Sequence, residues 1–273
     1  MRPTGSTLAF TIVPRINAAG RVGNPQVALD LLACDDPSSA IAMARRLGQF
    51  NDVRRAEEAA AVKSAEEALR RDTDEKRPAL VLCDEKWHPG VIGLVASRLS
   101  SRRHLPSVVF TADEEPGLLR GSARCPEIHG LDLMQLLGRC KDMLHSFGGH
   151  RAAAGLTVEA GRLDEFRRRF CEICAEAEEG LDMRPERIVE AWITPGDATE
   201  ALARDIALLG PFGTLNPSPL LGMRGVTLGA DPATFGKAAG TNWRLQFLET
   251  TVHGMVFGRS DMPFTRVLQA FPE

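Results

Sequence analysis

The sequence predicts an α/β domain that is preceded by one long helix and followed by a β-rich region. After Pro37, the chain contains no proline and a single glycine up to about residue 71, and short strand-like and helix-like runs alternate between residues 78 and 180. After residue 185, short strand-like runs are separated by turn residues. We therefore divide the chain at residues 1–36, 37–74, 75–183 and 184–273.

The long helix has a clear start signal. Asp36 is a good N-cap and Pro37 suits the first helical position. Alanine, arginine and glutamate dominate up to Arg71, and Gly48 is the one residue at which the helix is expected to bend. A helix of this length extends about 50 Å, so it either connects two parts of a larger protein or packs along a single domain.

The α/β part is read from the order of its apolar runs. A buried strand at residues 79–83 is followed by a helix at about 90–102 and by strands at 107–110 and 118–124. A helix at 131–144, a strand at 156–159 and an amphipathic helix at 162–180 complete the pattern.

Composition excludes several classes of protein. With 33 basic and 36 acidic residues among 273, the net charge of −3 argues against a general polyanion-coating protein but permits a local basic groove. Six irregularly spaced cysteines predict a reducing, cytoplasmic location rather than a disulfide framework. The pair Cys171 and Cys174 lies in a helical run without a second ligand pair, so we predict no zinc site. No apolar run is long enough to predict a membrane span.

Residues 147–155, with the sequence FGGHRAAAG, are the most informative segment. We interpret the Gly-Gly-His part as a turn in which Gly148 and Gly149 let a ligand approach the backbone. The imidazole of His150 donates hydrogen bonds to an anion. This segment is therefore predicted to handle phosphate, although a lone histidine more often has a structural role.

Three further segments carry candidate site residues: PRINAAGR at 14–21, WHPGVIGLVASRL at 87–99 and GSAR at 121–124. On a strand, Ser122 and Arg124 point to the same face, where they either bind phosphate or are ordinary surface side chains. His88 precedes a helix start, where it either helps to attract an anion or caps the turn beside Trp87.

In their order along the chain, 14–21, 87–99, 121–124 and 147–155, the four segments resemble the RecJ family of DHH phosphoesterases over roughly residues 8 to 180. The resemblance implies that the α/β part is a DHH-associated domain preceded by a connecting helix. It also implies a 5′-phosphate pocket made by Arg21, Ser122 and Arg124, and contact of Gly149 and His150 with the substrate backbone. Further candidates at the edge of the site are Arg15, Asn17, His88 and Gly148.

The metal-binding motifs of that family do not occur in this chain. Its enzymes hold catalytic Mn²⁺ or Mg²⁺ with an Asp-x-Asp pair and an Asp-His-His triplet, and this sequence contains no Asp-His-His. The acidic runs at 35–36 and 113–115 have no adjacent histidine. We therefore expect residues 1–36 to be the end of a catalytic domain, its other part lying upstream or on a separate polypeptide, and no metal bound by this chain alone.

The β-rich region resembles the oligonucleotide-binding (OB) barrel of the same family. Residues 210–217 are similar to the family pattern Pro-Phe-Gly-x-Gly-Asn-Pro, with Leu215 in place of a glycine. Such barrels need about five strands, and we expect this OB-like region to be incomplete. The region offers four aromatic residues, Trp192, Phe212, Trp243 and Phe247, and most of these four are predicted to lie in the core.

The function implied is 5′-to-3′ single-stranded-DNA exonuclease activity in DNA repair and recombination. This chain would supply the binding portion and would be inactive alone. Two alternatives stay open: a non-catalytic module that binds nucleic acid or a partner protein, and a relative that cleaves short oligonucleotides or cyclic dinucleotides.

Overall fold

A computed structural model describes residues 4–71, 77–126, 130–181, 188–213, 215–229, 233–235, 242–248 and 253–256. The chain forms two compact units, residues 1–185 and 186–273, and each is described by itself. Within the described ranges, no helix combines the length and the apolarity needed to cross a bilayer.

The first unit begins with helical turns at Gly5–Thr7 and Leu8–Ile12, followed by helices α1 (Val13–Val22), α2 (Gln26–Leu32) and α3 (Pro37–Arg71). The predicted start of α3 is confirmed, because Asp36 Oδ2 accepts a hydrogen bond from the backbone N–H of Ser39 at 2.8 Å. Ala19 of α1, Ala28 of α2 and Leu47 of α3 form a small buried cluster. The N-terminal helices therefore pack onto the long helix.

A five-stranded sheet follows, with the spatial order β1-β2-β3-β5-β4. Strands β1 and β2 are parallel, and the other neighbouring pairs are antiparallel. The elements, in chain order, are β1 (Leu80–Cys83), α4 (Ile92–Arg103), β2 (Ser107–Ala112), β3 (Leu118–Arg124), α5 (Leu133–Gly138), β4 (Ser146–His150), β5 (Ala153–Glu159) and α6 (Leu163–Glu178). Single 3₁₀ turns lie at Lys141–Met143 and Ala160–Arg162.

The two faces of this sheet are covered differently. On one face, Phe110, Leu156 and Val158 join residues of α5 and α6 in the largest buried cluster. On the other face, α3 and α4 cover β1 and β2 through a second cluster that includes Val109 and Leu99. Past α4, the second face continues over β3, β5 and β4, where its glycines are exposed.

A buried carboxylate joins the two helices of the second face. Glu58 of α3 is 7% exposed and pairs with Arg54 at 2.6 Å and with Arg98 of α4 at 2.5 Å. The contact fixes α3 against α4 beside the apolar cluster.

The second unit contains β6 (Ala191–Ile193), a 3₁₀ turn (Pro195–Asp197), α7 (Glu200–Leu208), β7 (Leu221–Met223), β8 (Ala233–Phe235), β9 (Asn242–Gln246) and β10 (His253–Val256). Strands β6 and β7 pair in parallel, whereas β8, β9 and β10 form an antiparallel sheet in the order β10-β9-β8. Of the four aromatic residues expected mostly in the core, Trp243 is buried and Phe247 packs against its cluster, whereas Trp192 is 54% exposed and Phe212 is 37% exposed. Whether the barrel closes lies outside the described residues.

The Gly-Gly-His segment was wrongly interpreted as a turn. Gly148, Gly149 and His150 lie on β4 and pair with β5, and the chain reverses at residues 151–152 instead. Pairing with β5 supplies the order that a glycine-rich sequence does not provide locally.

Candidate nucleic-acid interface

The sheet aligns the candidate residues in two rows across three strands. Ser122 of β3 is opposite Gly155 of β5, which is opposite Gly148 of β4. In the next row, Arg124 is opposite Ala153, which is opposite His150. Because directly opposed residues share a face, all six side-chain positions point to the same side of the sheet. We call this surface the open face.

Small residues form the floor of the open face between its polar ends. A Cβ placed on Gly148 or Gly155 would have no described heavy atom within 4 Å. Neighbouring strands lie about 4.8 Å apart, so the backbones at Arg124 and His150 are separated by about 10 Å. The result is a shallow groove with a cation and a hydroxyl at one side and an imidazole at the other.

Gly149 points away from this groove and has a packing reason to be glycine. A Cβ at this position would lie 2.3 Å from the carbonyl oxygen of Ala153 and 2.5 Å from the Cα of Ala154. The missing side chain therefore lets β4 pair closely with β5, which places the exposed His150 at the edge of the open face.

Arg21 reaches the site from α1. Its Nη1 donates a hydrogen bond to the carbonyl oxygen of Gly90 at 3.1 Å. A Cβ on Gly90 would lie 2.0 Å from the backbone oxygen of Arg21, so only glycine allows this approach. Two segments far apart in sequence are thereby held in direct backbone contact.

Arg124 and Ser122 meet the first turn of α4. Arg124 Nη1 donates to Ser122 Oγ at 2.9 Å and to the carbonyl oxygen of Ala123 at 2.8 Å. A Cβ on Gly93 would lie 3.0 Å from Arg124 Nη2 and 3.1 Å from Ser122 Oγ. The absence of a side chain at Gly93 keeps space beside both polar groups.

The two arginines are close enough to repel each other. Burial lowers the pKa of Arg124 from its ordinary value, and the nearby Arg21 guanidinium lowers it further. Within the described ranges, neither guanidinium forms an ion pair with a carboxylate. A pair of half-buried, uncompensated guanidinium groups beside a hydroxyl is a chemical match for a phosphate.

Hydrogen bonds fix the conformation of the loop between β1 and α4. Thr111 is buried and donates to the carbonyl oxygen of Trp87 at 2.6 Å. His88 Nδ1 accepts a hydrogen bond from the backbone N–H of Gly90 at 3.0 Å. Of the two roles left open for His88, this geometry favours the turn cap, which directs the Gly90 carbonyl toward Arg21.

The remaining sequence candidates lie on α1. Asn17 is exposed and precedes Arg21 by four residues, which places the two on one side of the helix. Arg15 donates to the carbonyl oxygen of Thr11 in the preceding helical turn, so no described contact brings it to Arg21, Ser122 or Arg124.

The structure thus brings Arg21, Ser122 and Arg124 together and places His150 across the open face from them. Sequence reasoning did not select Gly90, Gly93 and Gly155 as site residues, although all three lie inside the motifs. Their position inside the motifs, beside the polar candidates, was the available signal.

The described ranges contain no group of three or more His, Cys, Asp or Glu side chains placed to hold a metal ion. The donor set at this site is cationic and hydroxylic, which does not fit a divalent cation. We therefore derive no metal-dependent step from these residues.

Two domain families match the chain. Residues 76–176 match the DHHA1 domain, and this range holds the sheet, α4, α5 and most of α6. Residues 189–269 match the RecJ OB domain.

Curated relatives extend the match across both domains. The single-stranded-DNA-specific exonuclease RecJ of Bacillus subtilis is 35% identical over 215 residues, which cover 78% of this chain and 27% of the relative. The Escherichia coli RecJ is 33% identical over 222 residues, covering 79% of this chain and 38% of the relative. The chain therefore spans about a third of the length of these relatives.

Solved structures agree with the sequence matches. The crystal structure of RecJ in complex with Mg²⁺ from Thermus thermophilus superposes with a TM-score of 0.77 and 29% identity. The match covers 95% of this chain and 39% of that one. The Mn²⁺ complex from the same organism gives a TM-score of 0.78.

Proposed function

Because the chain carries a DHHA1 domain followed by a RecJ OB domain and matches the C-terminal part of RecJ, we propose that it is the strand-binding portion of a RecJ-type 5′-to-3′ single-stranded-DNA exonuclease. We propose that the protein acts in the cytoplasm. The metal ligands, for Mn²⁺ or Mg²⁺, would come from a DHH half that lies upstream or on a separate polypeptide.

One observation carries the proposal: the uncompensated pair Arg21 and Arg124 beside Ser122. A terminal phosphate has enough oxygens to accept hydrogen bonds from both guanidinium groups and the hydroxyl. Its charge would also relieve the repulsion between the arginines. We call Arg21, Ser122 and Arg124 the phosphate corner. We infer that the phosphate corner holds the 5′-phosphate of the strand.

The open face gives the strand a path away from that corner. The floor of Gly155, Ala153 and Gly148 admits a chain of variable side groups because it offers no protruding side chain. His150, at the far edge, is placed to donate a hydrogen bond to a backbone phosphate oxygen. Binding at this face would therefore select for strand width and charge.

Fluorescence anisotropy with labelled single-stranded oligonucleotides tests the phosphate corner. The wild-type chain should prefer a 5′-phosphate to a 5′-hydroxyl strand, and Arg124→Gln should reduce affinity for the phosphorylated strand about ten-fold or more. The matched control is Arg169→Gln on α6, which removes one half-exposed arginine from the helix that covers the opposite face. A 5′-phosphate preference that survives in Arg124→Gln refutes the assignment.

His150→Ala separates the two parts of the site. This exposed side chain should contribute equally to phosphorylated and hydroxylated strands, so its loss should weaken both by the same factor. A selective loss of 5′-phosphate preference in His150→Ala would contradict the proposed path.

Adding Mn²⁺ to the same mixtures addresses the alternative of a binding module without catalytic activity. Binding without trimming, for this chain alone, is the result expected under the main proposal. If the addition of a DHH half produces trimming of the strand, the chain is part of an exonuclease. If the chain is a binding module, no added DHH half should produce cleavage.

A further inference from the structure

The second unit contains an exposed aromatic side chain that its fold does not bury. Trp192 of β6 is 54% exposed, whereas Trp243 in the same unit is 8% exposed and belongs to its core. An exposed indole offers a flat apolar surface with a polar N–H at its edge, which suits contact with a ligand ring.

The position of the indole is fixed by its neighbours. Trp192 is paired with Gly222 of β7, and a Cβ on Gly222 would lie 2.6 Å and 2.7 Å from two carbons of the indole. The indole therefore lies over the glycine backbone, where any larger residue would displace it. Val189 contacts the same region, since its Cγ1 would lie 2.9 Å from that Cβ.

A guanidinium group is stacked on this indole. The Cζ of Arg224 lies 3.8 Å from the ring centroid, well inside the range of a cation–π contact. Arg224 is itself exposed and, in the described part of the chain, has no ion-pair partner. The two side chains form a preorganised unit that offers a flat surface and a positive charge together.

We propose that Trp192 and Arg224 form a stacking platform for a base of single-stranded nucleic acid. The inference rests on the proposed function for the identity of the ligand, and it assigns a base contact where the first unit offers phosphate contacts. A base would stack its π-face on the indole or on the guanidinium plane, and the arginine charge would lie near the adjacent phosphate. Such a contact accepts every base, because stacking does not read hydrogen-bonding edges.

The test compares two labelled, 5′-phosphorylated strands of equal length, one of thymidines and one of abasic sites, bound to the full chain. The wild type should bind the thymidine strand about five-fold or more tightly, the range expected for one stacked base. Trp192→Leu should remove most of this base preference. Emission of the wild-type protein should also be quenched by the thymidine strand, because Trp192 is the exposed tryptophan of the three.

Arg224→Lys keeps the test valid if the tryptophan variant fails to fold. Lysine keeps the charge but has no plane to stack, so base preference should fall while the dependence of affinity on salt is unchanged. Arg204→Lys is the matched control, an exposed arginine on α7 of the same unit, paired with Glu200. It should leave both quantities as in the wild type.

The outcomes separate this inference from the proposed function. The platform is supported if the variants lose the preference for the thymidine strand over the abasic strand but keep the preference for a 5′-phosphate. Wild-type base preference in both Trp192→Leu and Arg224→Lys overturns it and leaves the phosphate corner standing. A wild-type chain that binds no strand overturns both proposals, and capture of a protein ligand at Trp192 without strand binding does the same.

Discussion

Removing the charge of Glu58 is expected to destabilise the first unit strongly. Its side chain is 9% exposed, and its two carboxylate oxygens pair with different arginines, one on its own helix and one on α4. In Glu58→Gln the amide keeps the volume but leaves the Arg54 guanidinium, 16% exposed, without a counter-charge. Leaving one member of a buried ion pair uncompensated costs about 3–5 kcal/mol.

The surroundings place the expected value at the lower end of that range. Arg98 is 43% exposed and can turn toward water, so its cost is small. Arg54 keeps one hydrogen bond, to Asn51 Oδ1 at 3.1 Å, but its Nε is already buried without a partner. We therefore expect a loss of about 3 kcal/mol in the free energy of unfolding.

Urea unfolding followed by circular dichroism measures this quantity, provided that the m-value is unchanged. The matched control is Glu172→Gln on α6, which breaks an exposed Arg169–Glu172 pair in the same unit and should cost at most about 1 kcal/mol. If the two variants lose the same stability within about 0.5 kcal/mol, burial is not what makes the Glu58 contact strong, and the reasoning fails.

Three further predictions concern the site, the helix start and the thiols. Gly93→Ala puts a methyl group 3.0 Å from Arg124 Nη2, so phosphorylated strands should bind more weakly by anisotropy while folding is retained; unchanged affinity would exclude a ligand from that space. Hydrogen bonds from the Ser38 hydroxyl and from Ser39 lower the pKa of Asp36 from 3.8 to about 2. Because the pKa of Asp36 is lower in the folded state than in the unfolded state, its stabilisation is present above about pH 4 and is lost as pH falls toward 2. The Tm difference between wild type and Asp36→Asn should therefore shrink over that interval. A constant Tm difference would contradict the assignment. Burial raises the pKa of the Cys174 thiol, so iodoacetamide should label the half-exposed Cys34 much faster at pH 8, as judged by mass spectrometry, and equal rates would contradict the described packing.

Local sequence signals were sufficient for the long helix. Asp36 and Pro37 mark its start, and α3 runs from Pro37 to Arg71 as the lack of breaking residues predicted. Apolar runs also located β1 and β3 well, because a buried strand must be apolar on at least one face.

Tertiary pairing explains what the sequence did not predict. Strand β4 was missed because two glycines favour a turn locally, and its order comes from β5, whose backbone leaves no room for a side chain at Gly149. The exposure of Trp192 could not be predicted from its residue type, because tryptophan is usually at least partly covered, whereas here the side chain is 54% exposed.

The phosphate-matching corner could not be obtained from spacing alone. Ser122 and Arg124 lie on one strand, but Arg21 arrives from a different helix and meets them only because Gly90 allows close backbone approach. The resemblance of the motifs supplied that association, and burial together with the nearby Arg21 guanidinium lowers the pKa of Arg124 at this position.

The glycine floor of the open face has one more consequence. Base edges are told apart by side chains that donate or accept hydrogen bonds at fixed positions, and Gly148, Ala153 and Gly155 have none. A polymer lying along this floor is therefore held identically whatever order its units follow. Such a surface can let its ligand advance one unit at a time without meeting a preferred stopping place.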